Sequence, residues 1–388
     1  MNILFLCNAD PRSVGFGGAQ RTRFLWNSLK QCGDVYCLYF DHKSETEEIT
    51  PKVWRVRKIL KRQGWKSFFY RLERKILRPY HVLPLWPIPT LLDKQIKDIF
   101  PDITFDVVVC RYCFDLMEMH LWHFPKVFVD FDDHPSEMYE TLGCLNVKPI
   151  LRPIGRWLIK KQMAYILRKI DGGWISNPNQ VMVIDTRFNI KELRNIPQYP
   201  SEKYNSLSVR NHQLLIVGAM NYYPNYSGVD KFLNDVWKKV YEKYPTLELL
   251  IVGKGLPSKY SEEWKDIPNV KMLGFVDDLG AVYEKCLAAI VPIYSGGGTC
   301  IKTIEALAHS RVCISSPFGA RGMEHCLISK VKALQVFDSY EDFVRILGSE
   351  VLNVEKRLLA EKEGYEYVRK NYSEQKFSQT IIETLSAK

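Results

Sequence analysis

The chain has 388 residues, of which 46% are apolar and 25% charged, and its formal net charge is +10. This composition excludes a disordered chain and supplies enough apolar material for two domains of ordinary size. The positive charge favours an anionic partner, such as a nucleotide, a phosphate or an acidic membrane surface. No run approaches the roughly 18 apolar residues of a membrane span, and the first residues lack the basic lead of a signal peptide.

Short apolar runs alternate with helical patterns in two series. The first series comprises residues 2–6, 34–39, 105–110, 126–131 and 172–176, and the second comprises 214–218, 247–253, 269–273, 287–293 and 312–316. Apolar strands separated by helices are typical of parallel sheets covered on both faces. The pattern predicts two doubly wound α/β domains, 1–200 and 201–370, divided within the polar and proline-containing stretch 195–213. Residues 354–388 are predicted to form one or two terminal helices broken near Asn371–Ser373, with 371–388 as the terminal helix.

A basic, aromatic segment interrupts the first series. Residues 52–78 contain eleven Lys and Arg against one acid, interleaved with Trp and Phe, and we set the bounds of this amphipathic segment at 52–80. Such a composition is typical of an interfacial membrane helix, so we predict contact with an anionic membrane surface. The alternative is a solvated helix on a domain flank. Residues 148–169 add seven Lys and Arg without an acid. Nucleic acid is disfavoured because no recognised binding module is present.

The glycine-rich stretch SGGGTCIKTIEAL, residues 295–307, follows an apolar strand and opens a helix. Thr299 is expected to cap this helix, while Lys302, Glu305 and His309 share one helical face. A lysine in the first turn opposes the helix dipole unless an anion faces it, which indicates a bound diphosphate. Glu305 can then accept hydrogen bonds from sugar hydroxyls. The alternative is a tight strand–helix turn with a solvated Lys and Glu.

These residues carry a family resemblance. The stretch GGGTCIKTIEALA, followed by VCISSPFGARG, resembles the donor site of the retaining GT-B glycosyltransferases often called "group one". The stretch LLIVGAMNYYPNYSGVDKFLNDVW is similar to the strand and helix that open the second domain in one branch of that class. The resemblance covers residues 213–325 strongly. It covers the first half weakly, through GFGGAQRTRFLWNSL and KVFVDFDDHPS.

The resemblance implies two Rossmann-like domains facing across a cleft, with the C-terminal helix returning to the first domain. It also implies transfer of a sugar from a nucleotide diphosphate donor with retention of configuration, without a cofactor or an essential metal. Matching positions assign the donor-binding residues, which are Gly17, Gly18, Lys254, Phe275, Val276, Gly297, Gly298, Thr299, Lys302 and Glu305.

The chain departs from the family pattern at two places in the second domain. Many members carry two glutamates eight positions apart, but the position eight before Glu305 is Gly297. Many also place an arginine and a lysine after the first strand of this domain, where this chain has Met220. Lys302, Lys254 or Arg321 must then neutralise the phosphates.

In the first domain, the stretch KVFVDFDDHPS stands where the family often has His-Asp near the reacting centre. We therefore assign catalytic roles to Asp132 and Asp133, together with Glu305. With Asp130, these aspartates repel one another unless a sugar or a cation lies near. The alternative is that Asp130 or Asp133 caps a helix that starts at Pro135. An arginine close to the GFGGAQ loop in the sequence, namely Arg12, Arg21 or Arg23, is a candidate contact for an anionic acceptor.

The leading hypothesis is a cytoplasmic glycosyltransferase of the hexosyltransferase type, peripherally bound to the inner face of the membrane. It would build a lipid-linked or surface polysaccharide on a saccharide or lipid-linked acceptor. The alternatives are a nucleotide-sugar epimerase of the same fold and a non-catalytic sugar-nucleotide-binding protein. A NAD-dependent oxidoreductase is disfavoured by the spacing of GFGGAQ. A metal site at Cys110 and Cys113, or at His120 and His123, is disfavoured because zinc needs about four ligands.

Overall fold

The computed structural model describes residues 1–13, 17–41, 44–57, 65–77, 92–112, 121–141, 147–182, 184, 187–200 and 210–387. The chain divides into two compact units. The first unit comprises Met1–Arg194 together with Glu374–Lys388, and the second comprises Asn195–Ser373. The residues 201–209, within the stretch where the sequence placed the boundary, lie outside the described residues.

The first unit is built on eight strands with helices between them. Its strands are β1 (Asn2–Cys7), β2 (Asp34–Phe40), β3 (Glu47–Thr50), β4 (Val53–Val56), β5 (Val107–Arg111), β6 (Lys126–Asp132), β7 (Gly172–Ile175) and β8 (Ile190–Glu192). Its helices up to this point are α1 (Gly17–Leu29), α2 (Trp65–Leu77), α3 (Leu92–Ile99), α4 (Pro135–Thr141), α5 (Arg152–Leu167) and α6 (Pro178–Met182). The strand order is β3-β4-β2-β1-β5-β6-β7-β8, and only β3 runs antiparallel to its neighbour.

The second unit has a six-stranded parallel sheet. Its strands are β9 (Gln213–Val217), β10 (Glu248–Val252), β11 (Val270–Gly274), β12 (Ala288–Val291), β13 (Val312–Ser315) and β14 (Leu334–Val336), in the order β11-β10-β9-β12-β13-β14. Its helices are α7 (Tyr223–Phe232), α8 (Lys238–Lys243), α9 (Ser258–Trp264), α10 (Leu279–Lys285), α11 (Ile301–Ala308), α12 (Glu324–Ile328), α13 (Tyr340–Ile346) and α14 (Val354–Asn371).

The last helix, α15 (Glu374–Ser386), belongs to the first unit and packs on its sheet and on α1. The Trp174 indole in β7 donates to Thr384 Oγ1 at 3.0 Å, and Ser28 of α1 lies 2.8 Å from Ser378 between their hydroxyl oxygens. Two non-helical residues, Tyr372 and Ser373, separate α14 from α15. The predicted return of the terminal helix to the first domain is therefore confirmed.

The sheets are apolar because both of their faces are covered. In the first unit, buried side chains of α3 and α5, such as Ile96 and Ile159, pack with Leu4 and Val108 of the central strands. All ten apolar runs predicted as strands lie in the two sheets. Strands β3, β4, β8 and β14 were not predicted, because they are short, lie at or next to the sheet edges and bury few side chains.

The basic segment 52–78 is not one amphipathic helix, so that prediction is wrong. Residues Val53–Val56 form β4 inside the sheet, where the ladder to β2 buries Val53 and Val56. The helical part is α2, and residues 58–64, with three of the basic side chains, lie outside the described residues. Among the described residues, no helix is long and apolar enough to cross a membrane.

Candidate functional site

The glycine-rich turn of the second unit joins the carboxyl end of β12 to α11. Gly298 has a φ of 60°, in the left-handed region that costs glycine least. This turn lets the chain reverse sharply and start the helix at Ile301, which makes Lys302 the second helical residue. The predicted position of Lys302 in the first turn is confirmed.

Thr299 does not cap α11, so that part of the prediction is wrong. The residue before the helix is Cys300, and it makes no side-chain capping bond. Thr299 instead lies against Gly322, where an added Cβ would be 2.1 Å from the Thr299 Oγ1. Thr303 N–H donates to the Cys300 carbonyl oxygen at 3.1 Å, but no side chain caps the first turn, so its other amides and the positive end of the helix dipole can face an anion.

Lys302 is half-buried, and its side chain runs under the turn that follows β9. A Cβ added at Gly218 would lie 3.0 Å from the Lys302 Cε and 3.0 Å from the Asn225 Nδ2. Within the described ranges, Lys302 has no carboxylate within the 4.0 Å that defines an ion pair. Lys302 interacts with the carboxyl of Glu305, one turn later, through its charge, but it forms no ion pair with any described residue.

Asn225 adds a second polar group under the same turn. Its side chain is buried, and its Nδ2 donates to the Ala219 carbonyl oxygen at 2.7 Å. Its Oδ1 has no hydrogen-bond partner among the described residues. A buried acceptor without a donor is costly, so a ligand or a cation that approached Oδ1 would be stabilised.

Glu305 lies one helical turn after Lys302 and is half-buried. Burial raises the pKa of its carboxyl to about 7, against the opposing effects of the Lys302 charge and the backbone N–H of Gln198. His309 does not share this accessible position, although the sequence placed it on the same face. It is buried, and its ring stacks on Tyr283 with centroids 4.3 Å apart, while burial lowers its pKa to about 4.

Lys254 and Phe275 follow β10 and β11 along the same edge of the sheet. The Lys254 Nζ lies 5.6 Å from the centroid of the exposed Phe275 ring. Backbone hydrogen bonds join the turns that follow β9, β10 and β11. The Met220 N–H donates to the Lys254 carbonyl oxygen at 2.9 Å, and the Gly253 N–H donates to the Gly274 carbonyl oxygen at 2.8 Å. Lys254, Phe275, Lys302 and Glu305 therefore follow the carboxyl ends of β10, β11 and β12, on both sides of the central strand β9.

Three further residues of the second unit were singled out from the sequence, namely Gly297, Val276 and Arg321. Gly297 is half-buried in the turn itself, and Val276 packs against the hydrophobic core. Arg321 places its guanidinium carbon 3.8 Å from the centroid of the Phe318 ring. These positions do not contradict the sequence assignment of Gly297 and Val276, which stays a prediction.

In the first unit, the aspartates at the end of β6 are neutralised by the protein itself. Asp130 is fully buried, and Arg21 of α1 donates to it through Nε at 2.9 Å and Nη2 at 2.6 Å. Arg111, the last residue of β5, places Nη1 2.9 Å from the Asp130 Oδ2. Burial disfavours the charge of Arg111, but Asp132 and Asp130 raise its pKa above the ordinary value.

Asp132 lies at the rim of this buried network. Its Oδ2 accepts from Arg111 Nη2 at 2.8 Å, and its Oδ1 lies 3.6 Å from Arg21 Nε. Its φ is 62°, and Asp133 N–H donates to the Phe131 carbonyl at 2.7 Å to close a three-residue turn around it. Such a backbone is rare and strained for a residue with a Cβ, and strain of this kind collects at functional sites.

The structure excludes one member of each of two alternatives drawn from the sequence, and Arg12, Arg23 and Asp133 stay predictions. Arg21 is buried in the aspartate network, so it is not available to an anionic acceptor. Asp130 does not cap α4. That helix starts at Pro135 as expected, but the His134 Nδ1 accepts from Ser136 N–H at 3.2 Å, and burial lowers the pKa of His134.

Gly17 and Gly18 are the first residues of α1, and the loop residues 14–16 before them lie outside the described residues. Arg21, one turn later, reaches the aspartates, so the start of α1 and the end of β6 lie at the same edge of the first sheet. Sequence reasoning missed Arg111, although a lone arginine at the end of an apolar strand is a signal for a buried charge that needs a partner.

Within the described ranges, no three His, Cys, Asp or Glu side chains come together in a way that could hold a metal ion. The eight cysteines there are free. Cys113 and His120, one member of each motif weighed for metal binding, lie outside the described residues.

The fold is shared with solved glycosyltransferases. The chain superposes on TarM with a TM-score of 0.67 and 10% identity, covering 100% of this chain and 99% of that chain. WaaG, titled a glycosyltransferase involved in lipopolysaccharide biosynthesis, and Anabaena Alr3699/HepE in complex with UDP each give 0.63 and 12% identity, with 100% of both chains covered. The two parallel-sheet units therefore have the GT-B architecture.

The second unit also matches by sequence. Residues 211–345 match the model of the family described as "Glycosyl transferases group 1", so this part of the chain is similar to the domains of that family. A Klebsiella pneumoniae protein named "Uncharacterized 44.6 kDa protein in cps region" is 22% identical over 204 residues, which are 48% of this chain and 49% of that protein. The match thus spans about half the length of that relative.

Proposed function

We propose that the chain is a glycosyltransferase that moves a sugar from a nucleotide diphosphate donor to a saccharide or lipid-linked acceptor with retention of configuration. The observation that carries the proposal is Lys302, a half-buried cation in the first turn of α11, which has no side-chain cap; among the described residues, Lys302 has no ion-pair partner. A lysine at that place is disfavoured by the dipole unless an anion is bound. A diphosphate supplies that anion.

In this proposal, the donor lies along the carboxyl edge of the second sheet. The first-turn amides of α11 and Lys302 take the charge that develops on the leaving diphosphate, which is the largest electrostatic task of the reaction. The exposed Phe275 ring, with Lys254 beside it, offers a surface on which a nucleobase can stack. Glu305 accepts hydrogen bonds from hydroxyls of the donor.

The chemistry breaks the bond between the anomeric carbon and the diphosphate and forms a bond from that carbon to the acceptor oxygen on the same face. The acceptor hydroxyl loses its proton in this step. In the first unit, the carboxyl group of Asp132 is held by Arg111 at a strained turn. We propose that Asp132, with Asp133 next to it, binds the donor sugar or the acceptor hydroxyl.

We further propose that the reaction needs no metal ion, because the amides and Lys302 already meet the charge of the leaving diphosphate. The test is activity after treatment with EDTA. Full activity supports the proposal, whereas strict dependence on magnesium or manganese would assign a metal to this task.

The acceptor and the location are also proposals. The Klebsiella relative is named for a cps region, and WaaG for lipopolysaccharide biosynthesis, which supports a role in polysaccharide synthesis. We propose that this synthesis takes place at the cytoplasmic face of the membrane. Helix α2 exposes Phe68, Phe69, Leu72 and Ile76, whose spacing places them on one side, with Arg71 and Lys75 exposed on the same helix. This is the pattern of a helix that lies in the membrane interface.

A non-catalytic sugar-nucleotide-binding protein is the second candidate, since Gly297 stands where many family members have a glutamate. Turnover separates the two. A panel of nucleotide sugars that shifts the melting temperature identifies the donor by ligand linkage. Release of the nucleoside diphosphate with an acceptor present then supports a transferase, whereas binding without turnover supports the second candidate.

The site itself is tested with Lys302→Met, which keeps the stem and removes the charge. The variant should lose affinity for UDP or GDP, whichever binds the wild type, and lose less for the corresponding monophosphate. Lys259→Met is the matched control, because Lys259 is likewise the second residue of a helix in the same unit but is exposed and lies 3.8 Å from Glu263. Equal losses for diphosphate and monophosphate would contradict the assignment.

A further inference from the structure

Helix α5 has a fixed orientation in the first unit. Its inner face buries Gly155, Ile159 and Met163. Gly155 lets α4 approach so closely that an added Cβ would lie 2.1 Å from the Tyr139 hydroxyl oxygen. Because this close packing sets the rotation of the helix, the side opposite the buried face must face away from the core.

That outer side carries a cluster of large apolar side chains, which we name the Ile150–Trp157 patch. It consists of Ile150 in the short 3₁₀ turn before α5, and of Ile154 and Trp157 in the helix. These side chains are 83%, 46% and 58% exposed, and their spacing of four and three places them on one side. An exposed apolar cluster of this kind marks a surface that is covered by a partner.

The charges around the patch indicate which partner covers it. The stretch 148–169 has seven basic residues and no acid. Lys160 and Lys161 are exposed, and the Lys161 Nζ lies 5.9 Å from the centroid of the Trp157 ring. Arg156 is directed to Glu140 of α4 and is already paired. A tryptophan and aliphatic residues flanked by lysines complement an anionic lipid surface, where apolar side chains enter the headgroup region and cations meet phosphates.

We infer that the Ile150–Trp157 patch is a second membrane contact of the first unit and acts together with α2. The inference rests on the proposed membrane association but not on sugar transfer. Two weak contacts on one unit bind far more firmly than either one, because the second engages at a high effective concentration once the first has bound. Stable attachment to a bilayer generally needs two such signals.

The experiment measures binding of the full chain to vesicles of phosphatidylglycerol with phosphatidylcholine, by sedimentation. Ile150→Gln/Trp157→Gln should weaken binding about tenfold, because the pair removes one of two cooperating contacts. Phe68→Gln/Ile76→Gln should do the same through α2, and the four changes together should abolish binding. Ile328→Gln is the matched control, since Ile328 is 77% exposed in the second unit and should bind as wild type.

Wild-type binding by Ile150→Gln/Trp157→Gln would overturn the inference. Complete loss of binding by Phe68→Gln/Ile76→Gln alone would also overturn the inference, because α2 would then be sufficient to explain the membrane association. A concentration-dependent dimer that the Ile150→Gln/Trp157→Gln change dissolves would assign the patch to self-association and overturn the inference. Turnover of soluble substrates, unchanged in every variant, reports on the transferase separately, so its failure is distinguishable from failure at the vesicles.

Discussion

The two units solve opposite electrostatic problems at the carboxyl edges of their sheets. In the first unit, the buried carboxylate of Asp130 is matched by two guanidinium groups, those of Arg21 and Arg111. In the second unit, Lys302 has no ion-pair partner within the described ranges, and Glu305 is held at a pKa of about 7 by burial. In the first unit, the protein itself supplies the counter-charges of Asp130, whereas in the second unit we propose that a bound diphosphate supplies the counter-charge of Lys302.

This difference predicts which unit suffers when a charge is removed. In the first unit, loss of one charge leaves another buried charge with one partner fewer, so the stability of the fold should fall. In the second unit, loss of a charge should change ligand binding and the pH dependence of stability. The following variants test that division.

The largest effect is expected for Arg111→Met. Breaking a buried ion pair from one side costs about 3–5 kcal/mol, because the remaining carboxylate is left without its full compensation. Urea denaturation of the ligand-free protein measures the loss. Arg12→Met is the control, because Arg12 pairs with Asp10 at the surface, where such pairs contribute about 1 kcal/mol or less. Equal losses for the two variants would show that Arg21 alone neutralises Asp130.

Glu305→Ala should lower turnover by about two orders of magnitude, which corresponds to about 3 kcal/mol of transition-state stabilisation. Steady-state kinetics with the identified donor measures it. The exposed Glu341, in the same unit, gives the control Glu341→Ala, which should turn over as wild type. Normal turnover by Glu305→Ala would remove Glu305 from the site.

Glu305→Gln tests the raised pKa through stability. The folded pKa of about 7 exceeds the ordinary value of 4.5, so the folded protein keeps a proton that the unfolded chain releases between these pH values. The free energy of unfolding therefore falls as pH rises from 4.5 to 7, by up to about 3 kcal/mol. Glu305→Gln should be more stable than wild type at pH 8 by up to that amount and equal to it at pH 4.5.

Denaturation of both proteins across this pH range measures the difference, and Glu341→Gln should show no such trend. If the difference in free energy of unfolding between Glu305→Gln and wild type stayed constant with pH, the raised pKa would be contradicted. A ligand that supplies hydroxyl donors to Glu305 should lower the pKa of Glu305 and reduce this difference.

The smallest effect is expected for Gly218→Ala. The added Cβ would lie 3.0 Å from Lys302 Cε and from Asn225 Nδ2, so the lysine must shift by a few tenths of an ångström. Affinity for the nucleoside diphosphate should fall about threefold, or about 0.7 kcal/mol. In the Lys302→Met variant, adding Gly218→Ala should cause no further loss of affinity for the nucleoside diphosphate.

Calorimetry of UDP or GDP binding measures the Gly218→Ala effect. The control is Gly348→Ala, whose Cβ would meet only the Tyr244 hydroxyl oxygen, at 3.7 Å. If the losses of binding free energy caused by Gly218→Ala and by Lys302→Met add in the double variant, the turn at Gly218 acts on the ligand independently of Lys302.

The sequence by itself determined the local features of this protein. Apolar runs marked ten of the fourteen strands, because a strand covered on both faces must be apolar along its length. The break at residues 371–373 marked the end of α14, and the glycines marked the turn that sets Lys302 in the first turn of α11. Each of these follows from neighbours in the chain, so a single sequence is enough to show it.

Only the tertiary structure decided the partners of the charged residues. Asp130 meets Arg21 and Arg111 because β5 lies beside both β1 and β6 in the sheet, and strand order is a long-range property that no local pattern encodes. The same holds for Thr299 against Gly322, His309 against Tyr283, and Lys302 under Gly218. A charge meets its partner through space, so whether it is paired or left for a ligand is decided when the sheets assemble.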